Sequence, residues 1–197
     1  MSAENHGEAA MVRIKGMQTP DPDAPWNEII PELWMGGHHY GNADGVRVPA
    51  VVGTEFDMVI SLFQAEGHGP DPSVEHHHLT IPDAPLHADQ LTAARQLATI
   101  AAAAVRAHRT VMVRCQYGYN RSGLVVAQTL LDLGYSVEDA IPLIRQQRSP
   151  YALNNEFFVS YLTTGLDDAS RMAARQGAHS SDSVCLDKAH PWCKESK

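Results

Sequence analysis

Lysine is scarce in this chain. Only four occur in 197 residues, and acidic residues outnumber basic ones 23 to 15, for a net charge of −8. A general nucleic-acid binder needs the opposite balance, so that class is not expected, although a local basic pocket is compatible with the total. Cysteine is equally sparse. Three thiols do not make a disulfide scaffold and suit a reducing compartment better. No apolar stretch approaches the ~18 residues that would cross a bilayer. Met1 to Gln18 has scattered charges and no apolar centre of the kind a secretory leader carries. The expectation is a cytoplasmic protein without a membrane partner.

What is present is apolar enough to fold. Hydrophobic residues make up 44% of the chain, too many for a disordered polymer, and 197 residues suit one well-buried domain. The proline-rich run Thr19-Pro20-Asp21-Pro22-Asp23-Ala24-Pro25 blocks regular structure, so residues 1–25 read as an N-terminal tail. Strands are expected over Met58–Phe63 and Val74–Ile81, and again at Val111. Helices are expected over Ala88–His108, Ser122–Leu133, Val137–Gln147 and Asn155–Leu166. Gly134 reads as a helix stop and Ser136 as the next cap. Strands interleaved with helices predict an α/β fold, a central and mostly parallel sheet flanked by helices, over residues 26–167. Residues 168–197 read as a polar, flexible tail.

The chemistry concentrates where the Val111 strand ends. Val111-Met112-Val113-Arg114-Cys115 is followed by Gln116-Tyr117-Gly118-Tyr119-Asn120, then Arg121-Ser122-Gly123 and an apolar helix. A glycine-containing loop between a buried strand and a helix N-terminus points backbone N–H groups at any bound anion. Those donors, the helix dipole and a fixed guanidinium favour negative charge, so Cys115 is expected to ionise below the usual thiol range and serve as nucleophile. Arg121 is suited to holding two phosphate oxygens bidentately. Ser122 is placed to donate a hydrogen bond to the sulfur when it departs.

Cysteine, five residues, then arginine and serine resembles the phosphate loop of the cysteine-dependent protein tyrosine and dual-specificity phosphatases. Ile29–Gly36 is similar to the opening strand of the dual-specificity group, Phe56–Leu62 to its next strand, and Arg148–Phe157 to the segment before its last helix. The resemblance implies the phosphotyrosine protein phosphatase-like fold and the hydrolysis of phosphotyrosine through a cysteinyl-phosphate, with phosphoserine and phosphothreonine as further substrates. It implies a phosphorylated protein as partner and neither a cofactor nor a metal. One position departs from the pattern, since Arg114 stands where histidine is usual, and its expected role is to stabilise the thiolate or to pair with a carboxylate.

A leaving alkoxide or phenoxide needs a proton. Ile81-Pro82-Asp83-Ala84-Pro85 supplies Asp83 on a loop leaving a predicted strand, at the place of the mobile-loop aspartate of the resembled family, as general acid and then base. Asp89 is the second choice, because an acid that opens a helix needs no catalytic reason. Gln116, Tyr117, Gly118, Tyr119 and Asn120 are expected to line the substrate pocket. Asn154 is expected to be either a helix cap or, by the resemblance, a brace for the phosphate loop.

The same loop resembles that of the RNA 5′-triphosphatases of capping enzymes, which do not rely on the loop aspartate, so Asp83 favours an ester over an anhydride. Phosphoinositides would call for more lysines than the four present. A phosphate-binding pseudophosphatase is the non-enzyme alternative, and it is disfavoured because nucleophile, arginine and candidate acid are all present. His76-His77-His78 could offer a metal only His76 and His78 on one strand face, with no third ligand nearby. His38-His39 reads as a loop or surface pair. Cys185 and Cys193, with His190 between them, match no closed zinc pattern.

Overall fold

The computed structural model describes residues 19–182, with side chains through Gln176. Seven strands form: β1 (Trp26–Ile30), β2 (Leu33–Gly36), β3 (His39–Gly41), β4 (Arg47–Pro49), β5 (Met58–Ser61), β6 (Glu75–His78) and β7 (Val111–Arg114). Five of them make one sheet in the order β1-β2-β7-β5-β6, and β3 pairs with β4 apart from it. The β1–β2 pair is antiparallel, whereas β2–β7, β7–β5 and β5–β6 are all parallel. The mostly parallel sheet expected from the sequence is therefore present, with β7 at its centre.

Five helices complete the fold: α1 (Ala88–Arg106), α2 (Arg121–Asp132), α3 (Val137–Gln147), α4 (Glu156–Thr164) and α5 (Leu166–Asp182). The alanines of α1 let it lie close to its neighbours, burying Ala94, Ala98, Ala101 and Ala102 completely. Helix α2 is apolar nearly all round and is buried from Arg121 to Leu130, as a helix sandwiched between other layers must be. Ser136 caps α3 as expected, its Oγ accepting from Asp139 N at 3.1 Å, and Gly134 takes the left-handed conformation that ends α2 (φ 104°).

Strand alternation decides what each β7 residue faces. Val111 and Val113 join Leu33, Met35, Met58 and Ile60 in the main core. Met112 turns to the opposite face and packs with Val52, Phe56 and Val59, and Arg114 follows it there.

Three expectations are corrected. The stretch Ile29–Gly36 is not one strand but the end of β1 and all of β2, folded back through Pro31-Glu32 with Glu32 at φ 67°. Proline cannot donate to a ladder, which favours a turn at this point. The helix expected over Asn155–Leu166 divides at Gly165 (φ 90°). The chain does not become a polar tail at residue 168: α5 continues to Asp182 and buries Leu166 and Ala169, while Ser170 Oγ donates to Ala88 O of α1 at 3.0 Å. Its apolar positions are few and lie on one face, so the average polarity of the segment hid them. Cys185, His190 and Cys193 lie outside the described residues, as does the tail before residue 19. No helix among the described residues is long and apolar enough to cross a membrane.

Candidate active site

The loop from Cys115 to Asn120 leaves the carboxyl end of β7 and enters α2 at Arg121, where parallel sheets place their ligand sites. Its path is fixed by the end of β2. Cys115 N donates to Gly36 O at 3.2 Å, and His38 N donates to Gln116 O at 3.1 Å. Gly118 sits at φ 71°, and a Cβ on it would meet the Gly36 carbonyl carbon at 2.4 Å. Both the conformation and the space demand glycine. From outside the loop, the buried Arg148 holds it down: Nε donates to Gly118 O at 3.1 Å, while one terminal nitrogen donates to Ala24 O at 2.9 Å and to Asn27 Oδ1 at 2.6 Å.

Inside the loop lies the sulfur. Cys115 is 2% exposed, Gly118 N donates to its Sγ at 3.3 Å, and the Ser122 hydroxyl lies 3.4 Å away, able to donate as well. Burial pushes the thiol's pKa up and Asp83 adds to that, yet the Arg121 guanidinium and the Ser122 hydrogen bonds outweigh both, so the net shift is downward. Arg121 is itself buried. Its terminal nitrogens reach Ile81 O at 3.4 Å and Gln116 Oε1 at 3.5 Å, its guanidinium stacks on Phe63 at 5.4 Å, and its Nε has no partner among the described residues. A buried donor without an acceptor is rare, and this one belongs to a group that lines the same cavity as the thiol.

Asp83 closes the cavity from the opposite loop. Asn155 Nδ2 donates to its Oδ1 at 2.8 Å, and Asn120 Nδ2 donates to its Oδ2 at 3.1 Å. Asn155 N also donates to Asn120 Oδ1 at 3.2 Å, so the acid loop, the phosphate loop and the start of α4 are tied at one point. The space lined by Asp83, Cys115, Tyr117, Tyr119, Asn120, Arg121 and Asn154 is about 10 Å3, about the room one water needs.

Not every residue picked from the sequence does what was expected of it. Tyr119 lines the cavity, is 4% exposed, and its hydroxyl donates to Pro20 O at 3.0 Å, which braces the loop as well. Tyr117 is half-buried at the cavity edge, under the Arg47 guanidinium at 5.0 Å. Arg114 neither faces the thiol nor pairs with a carboxylate, because strand alternation sends it to the other face of the sheet, where its Nε donates to Ser61 Oγ at 2.9 Å. Asn154 is exposed and only lines the opening. The neighbouring Asn155 is fully buried, caps α4 by accepting from Phe157 N at 3.1 Å, and reaches Asp83. Asp89 stands in the first turn of α1 and does not line the cavity.

Asn155, Arg148 and Arg47 were not picked from the sequence. Adjacent asparagines gave no sign of which would turn inward, and a lone arginine after a helix looks like any surface cation. His38 is likewise no surface residue: it is 1% exposed, its Nε2 bonded to Phe63 O at 2.9 Å. His76 and His78 take separate partners, Ser61 Oγ and Thr80 Oγ1.

No family model matches the sequence, and no curated protein does. Solved structures do match. Human DUSP28 superposes with a TM-score of 0.59 at 21% identity, covering 78% of this chain and 99% of that one. A mouse protein assigned to the dual specificity phosphatases, in complex with zinc tungstate, gives 0.56 at 21% over 82% and 97%. Tk-PTP in its active form gives 0.53 at 21% over 73% and 97%. The chain has the dual-specificity phosphatase-like fold.

Proposed function

We propose that this protein is a phosphatase acting on phosphotyrosine in protein substrates, and on phosphoserine and phosphothreonine, through a cysteinyl-phosphate. The observation that carries the reading is the buried, unpartnered Nε of Arg121 beside a thiol whose pKa is lowered despite full burial. A phosphoryl group supplies what both lack. Two of its oxygens accept from the guanidinium, and its phosphorus takes the electron pair of the sulfur.

In the first step the Cys115 thiolate forms a P–S bond as the P–O bond to the substrate breaks. The Asp83 carboxyl group gives its proton to the departing oxygen. In the second step a water attacks phosphorus, the P–S bond breaks, and the Asp83 carboxylate takes the water's proton. The Ser122 hydroxyl donates to the sulfur as it leaves. Arg121 and the N–H groups of the loop carry the charge of the transferring group throughout. Gln116, Tyr117, Gly118, Tyr119 and Asn120 wall the pocket in this reading, with Tyr117 and Arg47 at its mouth facing the peptide.

The decisive experiment compares wild type with Cys115→Ser on a phosphotyrosine peptide, a phosphoserine peptide and triphosphorylated RNA. Turnover of the peptides that vanishes in the variant, with binding kept, is the expected result. Activity near wild type in Cys115→Ser would end the covalent mechanism, and release from RNA alone would replace the substrate.

A further inference from the structure

Besides Arg121 and Arg148, a third buried arginine lies on the face of the sheet away from α1 and α2, next to the candidate active site yet outside it. Arg114 is 1% exposed. Its guanidinium donates through Nε to Ser61 Oγ at 2.9 Å, through one terminal nitrogen to His68 O at 2.9 Å, and through the other to Gly69 O. Three of its five N–H bonds are thereby used. All three partners are neutral, and among the described residues no carboxylate pairs with it. Burial lowers its pKa to about 10, which leaves the charge in place at neutral pH.

No buried side chain around it adds negative charge. His38 and His76 share the site with Arg114, and after burial it is the Arg114 charge that pushes their pKa values down. His38 Nε2 donates to Phe63 O, so its Nδ1, without a partner among the described residues, is an acceptor and brings no donor to the cavity. These residues, with Ser61 and Phe63, line an open cavity of about 280 Å3, ample for an oxyanion and several waters. The one acid on its lining, Glu66, is exposed on its loop. A charge removed from water is normally paired or at least matched by an anion within reach, and carbonyl dipoles meet only part of that demand. Holding the loop at residues 68–69 accounts for two donors and the bond to Ser61 for a third, which leaves two N–H groups of the guanidinium unexplained.

We infer that this cavity binds an oxyanion, a phosphate or carboxylate group held by the Arg114 guanidinium between the His38 and His76 rings. The site adjoins the phosphate loop: Phe63 lines it, its ring carries the Arg121 guanidinium on one side, and its carbonyl accepts from His38. The anion comes either from solution or from a second acidic group of a molecule bound at Cys115. Binding itself requires no turnover, so the inference stands or falls apart from the proposed reaction.

The test uses full-length Arg121→Met, in which the phosphate loop has lost its own anion grip. Inorganic phosphate is titrated while the ring resonances of His38 and His76 are followed by NMR. Saturable shifts of both rings are expected, with affinity raised several-fold by Glu66→Gln, which removes the acid at the mouth. They are expected to vanish when Arg114→Met is added. Should the double variant fail to fold, the Arg121→Met and Glu66→Gln titrations still decide. Rings that stay unmoved into the tens of millimolar overturn the site.

Source is read in Cys115→Ser with singly and doubly phosphorylated tyrosine peptides. About tenfold tighter binding of the second, lost in Arg114→Gln, assigns the anion to the substrate. Equal binding, with the phosphate titration positive, assigns it to a free ion.

Discussion

Asn155 donates from Nδ2 to Asp83 Oδ1 at 2.8 Å, from a position where the same side chain also caps α4. The bond joins the segment that begins the last part of the fold to the loop that closes over the thiol. It sets where the carboxyl group points, on which proton delivery would depend in the proposed reaction.

Asn155→Ser keeps a capping oxygen and loses the reach to Asp83. Hydrolysis of phosphotyrosine, whose leaving group needs a proton, should fall about tenfold to a hundredfold in kcat. An aryl phosphate with an acidic leaving group should be nearly unaffected, and KM should hold for both. Equal losses on the two substrates would show that Asn155 acts on the fold and not on the proton.

Arg121 lowers the Cys115 pKa by charge, against burial. The rate of Cys115 alkylation by iodoacetamide should therefore rise through a midpoint below the ~8.5 of a free thiol. In Arg121→Met the midpoint should move upward, because burial then acts with less opposition. A midpoint unchanged by the substitution would assign the shift to Ser122 and the loop amides.

Gly118→Ala combines a left-handed backbone with a collision against the Gly36 carbonyl. Strain of this kind costs about 1–3 kcal/mol, read as a lower urea midpoint. Activity should fall further than stability does, since the displaced backbone is the one that donates to the sulfur.

Removing Arg148 leaves the carbonyl of Gly118 and the side chain of Asn27 without their donor. Arg148→Met is expected to destabilise the protein by roughly 1–3 kcal/mol. It should also raise the alkylation midpoint of Cys115, because the Arg148 charge acts on the thiol as well. Stability lost with an unmoved midpoint would limit Arg148 to the fold.

His38 has its pKa lowered to about 3, by burial first and then by Arg114, with His68 and His39 adding to the effect. The folded protein thus binds fewer protons than the unfolded chain between the unfolded value, near 6.5, and about 3. Stability falls as pH drops through that window. His38→Gln, which can keep the bond to Phe63 O, should flatten the fall in urea midpoint between pH 6.5 and pH 4. An unchanged slope would pass the effect to other groups.

The loop from Cys115 to Ser122 was legible because its chemistry is local: strand end, glycine, arginine and helix start follow one another within a dozen residues. The strands and helices that position it were legible for the same reason, since periodicity and caps act over a few residues. Asp83 was legible as a candidate by its place on a loop, although its partners were not. Whether Asn154 or Asn155 reached it depended on the rotation of the chain entering α4, which sequence spacing leaves open. The segment from 168 to 182 was misread because its helix rests on α1, a distant part of the chain.

The sequence by itself determined that a thiol and a guanidinium share one loop between the end of a buried parallel strand and a helix N-terminus. Tertiary structure alone decided which side chains surround them. Strand alternation turned Arg114 away from the thiol into a cavity of its own, Tyr119 folded inward to brace the loop, and Arg148 and Asn155 came from far along the chain to hold it. The physical reason is range: backbone conformation follows from neighbours in sequence, whereas charge, burial and hydrogen-bond partners follow from whatever the fold packs alongside.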